Sequence, residues 1–152
     1  DYWASSYLQT GDIDLVNDHA SIVQIGDSAT AYFTGEYDGE GTLLTGGVIS
    51  SGTRNSGALF GYVGDSSVYG ASVLGTVNFV VSNDAYYRGG VVGRSNTSTL
   101  SHVRNLASCP DGIYGLFVGG IVGYMSDSTL SNSLNGMNGN VQGKNNSGGV
   151  VG

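Results

Sequence analysis

The residues best spaced for chemistry are two carboxylate pairs, Asp12 with Asp14 and Asp38 with Glu40. Alternate residues of a strand point to the same side, so either pair could share a proton in acid–base catalysis or hold a calcium ion. The run Asp38-Gly39-Glu40-Gly41 is also turn vocabulary, because Asp-Gly accommodates tight backbone bends, and turn and strand-edge roles are the favoured reading of both pairs. His19 and His102 have no Cys or carboxylate at metal-ligand spacing and read as solvated loop or strand residues. No Gly-x-Ser-x-Gly elbow marks a serine nucleophile. The five basic residues, Arg54, Arg88, Arg94, Arg104 and Lys144, are too scattered for a groove that degrades acidic polysaccharide. The expectation is a protein that is not an enzyme and carries no metal or cofactor.

Binding chemistry has more to work with. Tyr86-Tyr87-Arg88, and Tyr62 with Tyr124, offer aromatic faces that could contact a glycan, with Tyr86 and Tyr87 the leading candidates. The competing role for these tyrosines is to close strand edges. An ice-binding face needs a regular threonine array, and the Thr97–Thr99 pattern occurs in one place only. Two sequons, Asn96-Thr97-Ser98 and Asn145-Asn146-Ser147, fall in expected turns, where a glycan on Asn96 or Asn145 would project outward. The single cysteine, Cys109, cannot form an internal disulfide. Its Ser-Cys-Pro-Asp-Gly setting reads as an exposed loop and slightly favours an intermolecular disulfide over a buried role.

These residues must be positioned by a glycine-rich chain. Glycine supplies 27 of 152 residues, against one proline, and lacks the every-third-residue period of collagen. Charged residues are 11% and the net charge is −7, a surface that repels phosphate and argues against nucleic acid and anionic membranes. The longest apolar stretch, Gly115 to Met125, is about half of what a spanning helix requires. The chain opens at Asp1 without a signal sequence, which reads as a mature, processed or excerpted polypeptide.

One segment recurs four times: Gly57-Ala58-Leu59-Phe60-Gly61, Gly89-Gly90-Val91-Val92-Gly93, Gly119-Gly120-Ile121-Val122-Gly123 and Gly148-Gly149-Val150-Val151-Gly152. The starts are 32, 30 and 29 residues apart, and the residues that follow also align. Ser66, Ser98 and Ser128 occupy one position, Ser67, Thr99 and Thr129 the next, and Val68, Leu100 and Leu130 the one after. A period near 30 fits helical pairs, ankyrin-like units or a β-solenoid. Glycine at this density costs about 1 kcal/mol per residue in a helix, and the Val and Ile runs are strand vocabulary. Each repeat therefore reads as three short strands joined by turns: Gly119 to Tyr124, Ser128 to Leu134, Gly139 to Gly143. Stacked coils place equivalent residues about 4.8 Å apart. The Ser and Thr positions then form ladders, Val68, Leu100 and Leu130 stack inward, and Asn105 with Asn135 bond along the axis. Glycine would serve corners at positive φ or close backbone approaches. Such ladders are either a flat binding face or a means of stabilising the stack, and the second reading is favoured.

The Gly-Gly-[Ile/Val]-Val-Gly segments and their Ser/Thr-rich followers resemble the GLUG repeats of bacterial surface proteins, including adhesins and immunoglobulin A peptidases. The lead-in fits as well, with Tyr7-Leu8, Asp12-Ile13-Asp14-Leu15, Ile25-Gly26, Phe33-Thr34-Gly35 and Asp38-Gly39-Glu40-Gly41 in order. The resemblance implies an extracellular stalk or presentation module. No peptidase residue carries over, because no His-Glu-x-x-His zinc helix is present. The chain departs from a regular array by an insertion around Leu106 to Phe117, which contains Cys109 and Pro110, and its last repeat stops at Gly152 without its second and third strands.

The expectation is a single all-β domain over 1–152, a parallel β-helix of right-handed sense with about four coils. Residues 1–56 form lead-in coils, with Trp3 and the early tyrosines as a cap, and 57–152 carry the repeats. The expected role is an extracellular structural and adhesive module that stacks end to end in a fibre or joins flanking domains, with a carbohydrate-binding module as the alternative.

Overall fold

The structure, a computed structural model, describes residues 4–14, 24–26, 30–40, 42–49, 55–79 and 86–152. Tyr2 and Trp3, Leu15, His19, Ile22-Val23, Gly41 and Arg54 lie outside the described residues, and with them the cap expected of Trp3.

The described chain is all β and coils repeatedly along one axis. The first coil contributes β1 (Ser6–Leu8) and β2 (Ile13–Asp14). The second holds β3 (Glu36–Asp38), β4 (Leu44–Ile49), β5 (Asn55–Ser56) and β6 (Phe60–Gly64). The third holds β7 (Ser67–Tyr69), β8 (Ser72–Phe79), β9 (Tyr87–Gly89) and β10 (Val92–Asn96). The fourth holds β11 (Thr99–Ser101), β12 (Arg104–Gly119) and β13 (Val122–Ser126). The last holds β14 (Thr129–Ser131), β15 (Leu134–Asn135) and β16 (Asn138–Gly148).

The named strand pairings are parallel. One sheet runs β1-β3-β7-β11-β14, a second β6-β10-β13, and the third contains the remaining strands. Five strands in the first sheet mean about four turns of a parallel β-solenoid, as the repeat period requires. The lead-in strands β1 to β4 enter the same ladders as the repeats.

The sequence alignment of the repeats is the register of the ladders. Thr99 pairs with Ser67 and Thr129, and Leu100 with Val68 and Leu130. Val92 pairs with Phe60 and Val122, and Asn105 with Asn135. Inward positions make one core column after another: Phe33, Phe60, Val63, Val68, Val73, Val91, Leu100, Ile113 and Ile121 are fully buried. At about 25 cal/mol per Å² of apolar area, each such side chain stabilises the stack by about 1.5–3 kcal/mol relative to exposure.

Two expectations need correction. Leu106 to Phe117 is no inserted loop but part of the 16-residue strand β12. It is extended because its backbone is paired with β8 and β9 on one side and with β15 and β16 on the other. The register shifts between Cys109 and Ile113 absorb exposed Pro110 and Asp111, together with Gly112 at φ +76°, as a bulge does. The strand expected from Ser128 to Leu134 breaks in the middle, where Asn132 takes φ +50°.

Glycine takes positive φ at Gly26, Gly46, Gly70, Gly75 and Gly112, but at two corners of the repeat other residues mostly do so. Asp65, Thr97 and Asp127 adopt φ +50° at one corner of successive coils, and Gly70, His102 and Asn132 adopt φ +68°, +55° and +50° at the next. Asp and Asn tolerate this left-handed region better than most residues. The repeat glycines do a different job, described below.

Candidate functional site

In each repeat the fifth glycine allows two strands of adjacent coils to touch through their backbones. A Cβ on Gly93 would lie 2.3 Å from the Ser56 nitrogen, on Gly123 2.5 Å from the Arg88 backbone, and on Gly152 2.4 Å from that of Val118. The first glycines are closed in first by their own coil, since a Cβ on Gly57, Gly89, Gly119 or Gly148 would come within 2.2 Å of the carbonyl oxygen three residues on, and on Gly57 and Gly89 also within 2.5 Å of a carbonyl of the next coil. A Cβ on Gly61 would lie 2.1 Å from the Gly26 carbonyl. Close approach, not unusual φ, explains the spacing of the motif.

The second glycine answers to an asparagine. Asn105 is fully buried; its Nδ2 donates to the Gly120 carbonyl at 2.6 Å and its Oδ1 accepts from Ala107 N at 3.2 Å. Asn135 repeats this, donating to Gly149 O at 2.5 Å and accepting from Met137 N at 3.3 Å. The two asparagines are in register as expected, but their amides reach across to the opposite wall instead of bonding to one another along the axis. A Cβ on Gly90 or Gly120 would fall 2.0 or 2.1 Å from the Asn amide nitrogen.

Serine hydroxyls bind the corners. Ser98 Oγ donates to Asn96 O at 2.8 Å and accepts from Ser66 N at 3.2 Å, one coil away. Ser128 Oγ does the same with Ser126 O and Ser98 N, and Ser133 Oγ with Ser131 O and Val103 N. Each hydroxyl thus serves its own bend and the neighbouring coil, which offsets the cost of a left-handed residue.

The carboxylate pairs serve turns and strand edges. Asp12 accepts from Leu43 N at 2.8 Å and Asp38 from Glu40 N at 3.0 Å, and outside the pairs Glu36 accepts from the Ser6 hydroxyl at 3.2 Å. Glu40 accepts from Tyr69, which raises the Tyr69 pKa, and Arg104 and His102 line the same small hollow of about 60 Å³. His102 meets the Tyr69 ring at 5.0 Å, tilted by 59°. Among the described residues no three His, Cys, Asp or Glu side chains are grouped to hold a metal ion, and no helix is long and apolar enough to cross a membrane.

Tyrosines converge on one wall. Tyr62, Arg94 and Tyr124 share one ladder position on β6, β10 and β13. The Arg94 guanidinium carbon lies 4.7 Å from the Tyr62 ring, 5.5 Å from Tyr87 and 5.9 Å from Tyr124. Tyr87 meets Tyr124 at 4.7 Å and Phe117 at 5.4 Å, and Tyr86 meets Tyr87 at 4.9 Å. Tyr86, Tyr87, Phe117 and Tyr124 are half-buried, whereas Tyr62 is covered by Arg94 and a Tyr32 ring stacked at 4.9 Å. Arg88, adjacent in sequence, is fully buried, donates to Tyr114 O at 3.0 Å, and has its pKa lowered by desolvation. It is a core residue and not part of the wall. Sequence reasoning missed Arg94, although the repeat alignment sets it in register with Tyr62 and Tyr124.

Cys109 corrects the reading of an exposed loop. It is 1% exposed on β12, and desolvation pushes its thiol up to about 11, so an intermolecular disulfide is disfavoured in the folded chain. Asn96 ends β10 at the corner before Thr97, half-buried, with its Nδ2 3.1 Å from Thr97 Oγ1. Asn145 is exposed but lies within β16 and not in a turn.

No family model matches the chain, and no curated protein or solved structure does.

Proposed function

We propose that the protein is a non-enzymatic, extracellular structural and adhesive module of GLUG-like repeats whose β-solenoid stacks end to end on further coils. The observation that carries this reading is where apolar surface is left uncovered. The large hydrophobic side chains exposed among the described residues are Tyr7, Leu8, Ile13, Leu134 and Val150, all in the first or last coil. Leu8 is 68% and Leu134 53% exposed. The first coil also opens an apolar cavity of about 330 Å³ bordered by Tyr7, Leu8, Ile13 and Ile25. The first sheet between them is polar on its outer side, with Ser67, Thr99 and Thr129 exposed. Apolar ends on a polar column invite axial contact, and a heterologous contact of that kind extends without closing.

The residues that distinguish the repeat support a structural role as well. Gly61, Gly90, Gly93, Gly120, Gly123, Gly152, Asn105, Asn135 and the corner serines are spent on contact between coils or opposite walls. Sedimentation velocity over a range of concentrations tests the reading. Association that grows with concentration is expected, and Leu8→Lys or Leu134→Lys reduces it while Thr99→Lys on the flank leaves it unchanged. A species that stays monomeric at every concentration would remove self-stacking from the proposal.

The carbohydrate-binding alternative is favoured by one observation, the half-buried rings of Tyr86, Tyr87 and Tyr124 gathered on one wall.

A further inference from the structure

Arg94 is held by ring faces. Three aromatic centroids lie within 5.9 Å of its guanidinium carbon, each attracting the cation to a ring face. Ring faces fix the plane of a guanidinium but accept none of its five N–H donors in a hydrogen bond of ordinary strength. The Nε is buried without a hydrogen-bond partner, so the two terminal nitrogens are the donors left for a ligand. Arg94 as a whole is only half-buried. A planar donor fork of this kind is matched by a carboxylate, which it takes through two parallel hydrogen bonds.

The surroundings restrict what carries that carboxylate. Tyr87 and Tyr124 stand beside Arg94 and Tyr86 meets Tyr87 at 4.9 Å, with part of each side chain accessible. Tyrosine presents a rigid apolar face with a polar tip, suited to the C–H face and hydroxyl rim of a pyranose. A neutral sugar uses the rings and leaves the cation idle. A polyanion such as a nucleic acid uses the cation but meets a net charge of −7. One cation in an aromatic wall on an acidic protein fits a sugar chain with one isolated acid group.

We propose that Tyr86, Tyr87, Tyr124 and Arg94 form a binding wall for an oligosaccharide bearing a single acidic sugar, with the rings stacked on the sugar face and Arg94 paired with its carboxylate. This inference rests on the adhesive part of the function proposed above and supplies its ligand class.

The test is calorimetric titration of the full chain at low salt with two probes: a short oligosaccharide ending in one glucuronic acid, and the same compound with its carboxyl group reduced to the alcohol. The acidic probe is expected to bind about tenfold or more tightly, a difference of about 1.4 kcal/mol. Arg94→Gln removes that preference, and Tyr87→Leu weakens both probes alike. If Arg94→Gln fails to fold, the wild-type chain still decides, because raising the salt concentration must weaken the acidic probe and spare the neutral one. Equal affinity for the two probes, or no binding of either by folded protein, overturns the inference. Sedimentation of the same samples separates the two claims. Association without sugar binding sinks the binding wall alone, and sugar binding without association sinks the stacking.

Discussion

At the scale of single residues, the left-handed corners are the chain's local cost. Thr97 is β-branched at φ +50°, a conformation that costs an L-residue about 1–2 kcal/mol. Asn132 shows that an amide residue suits such a corner at the same φ. Thr97→Asn is therefore expected to raise the melting temperature by about 2–4 °C, and calorimetry that finds it lowered contradicts the corner argument. Cys109 makes a pH prediction. Burial raises its folded pKa from an ordinary 9.0 to about 11, so the unfolded chain loses the thiol proton first. Its contribution is complete below about pH 9 and lost as pH rises to about 11. Tyr37 acts in the same direction, raised to about 12 by burial and then by Asp38. Urea titrations should show stability falling through this alkaline range, with a smaller fall between pH 9 and 11 in Cys109→Ala. Arg94 shows what was legible at this scale and overlooked. Its column was visible in the repeat alignment, but no sequence period brings Tyr87 of β9 against Arg94 of β10, so that approach was not.

Among the elements, the pairing of glycine with asparagine is the sharpest consequence of the stacking. Two coils use Gly90 with Asn105 and Gly120 with Asn135, while the coil before them has Ala58 at the glycine position and Val73 at the asparagine position. The second glycine and the cross-coil asparagine thus exchange together with alanine and valine. Gly90→Ala should destabilise by several kcal/mol, since its Cβ would sit 2.0 Å from Asn105 Nδ2 and 2.2 Å from Gly120 O. Asn105→Val should cost about 1–3 kcal/mol for the lost hydrogen bonds. The double variant Gly90→Ala/Asn105→Val should cost less than the sum, and additive effects in a double-mutant cycle would refute the coupling. Strand registers were legible because the repeat supplies them directly. The course of β12 was not, because Cys-Pro-Asp-Gly is local loop vocabulary and only pairing on both sides makes that segment extended. The alternation of buried Ala107 and Cys109 with half-buried Leu106 and Ser108 is the period-two trace that the turn residues obscured.

For the whole molecule, the fold class and the coil length followed from repetition alone, because a period near 30 with matched apolar columns leaves few architectures that bury them. The function did not follow in the same way, because sites are placed on a solenoid by which columns face outward and what meets its ends. The account therefore turns on whether the apolar ends meet one another. Negative-stain electron microscopy of concentrated protein is the most direct measurement. It should show thin unbranched filaments with an axial repeat of about 24 Å, the five stacked strands of the first sheet at about 4.8 Å each. Small discrete particles at concentrations where the chain is folded would contradict end-to-end stacking.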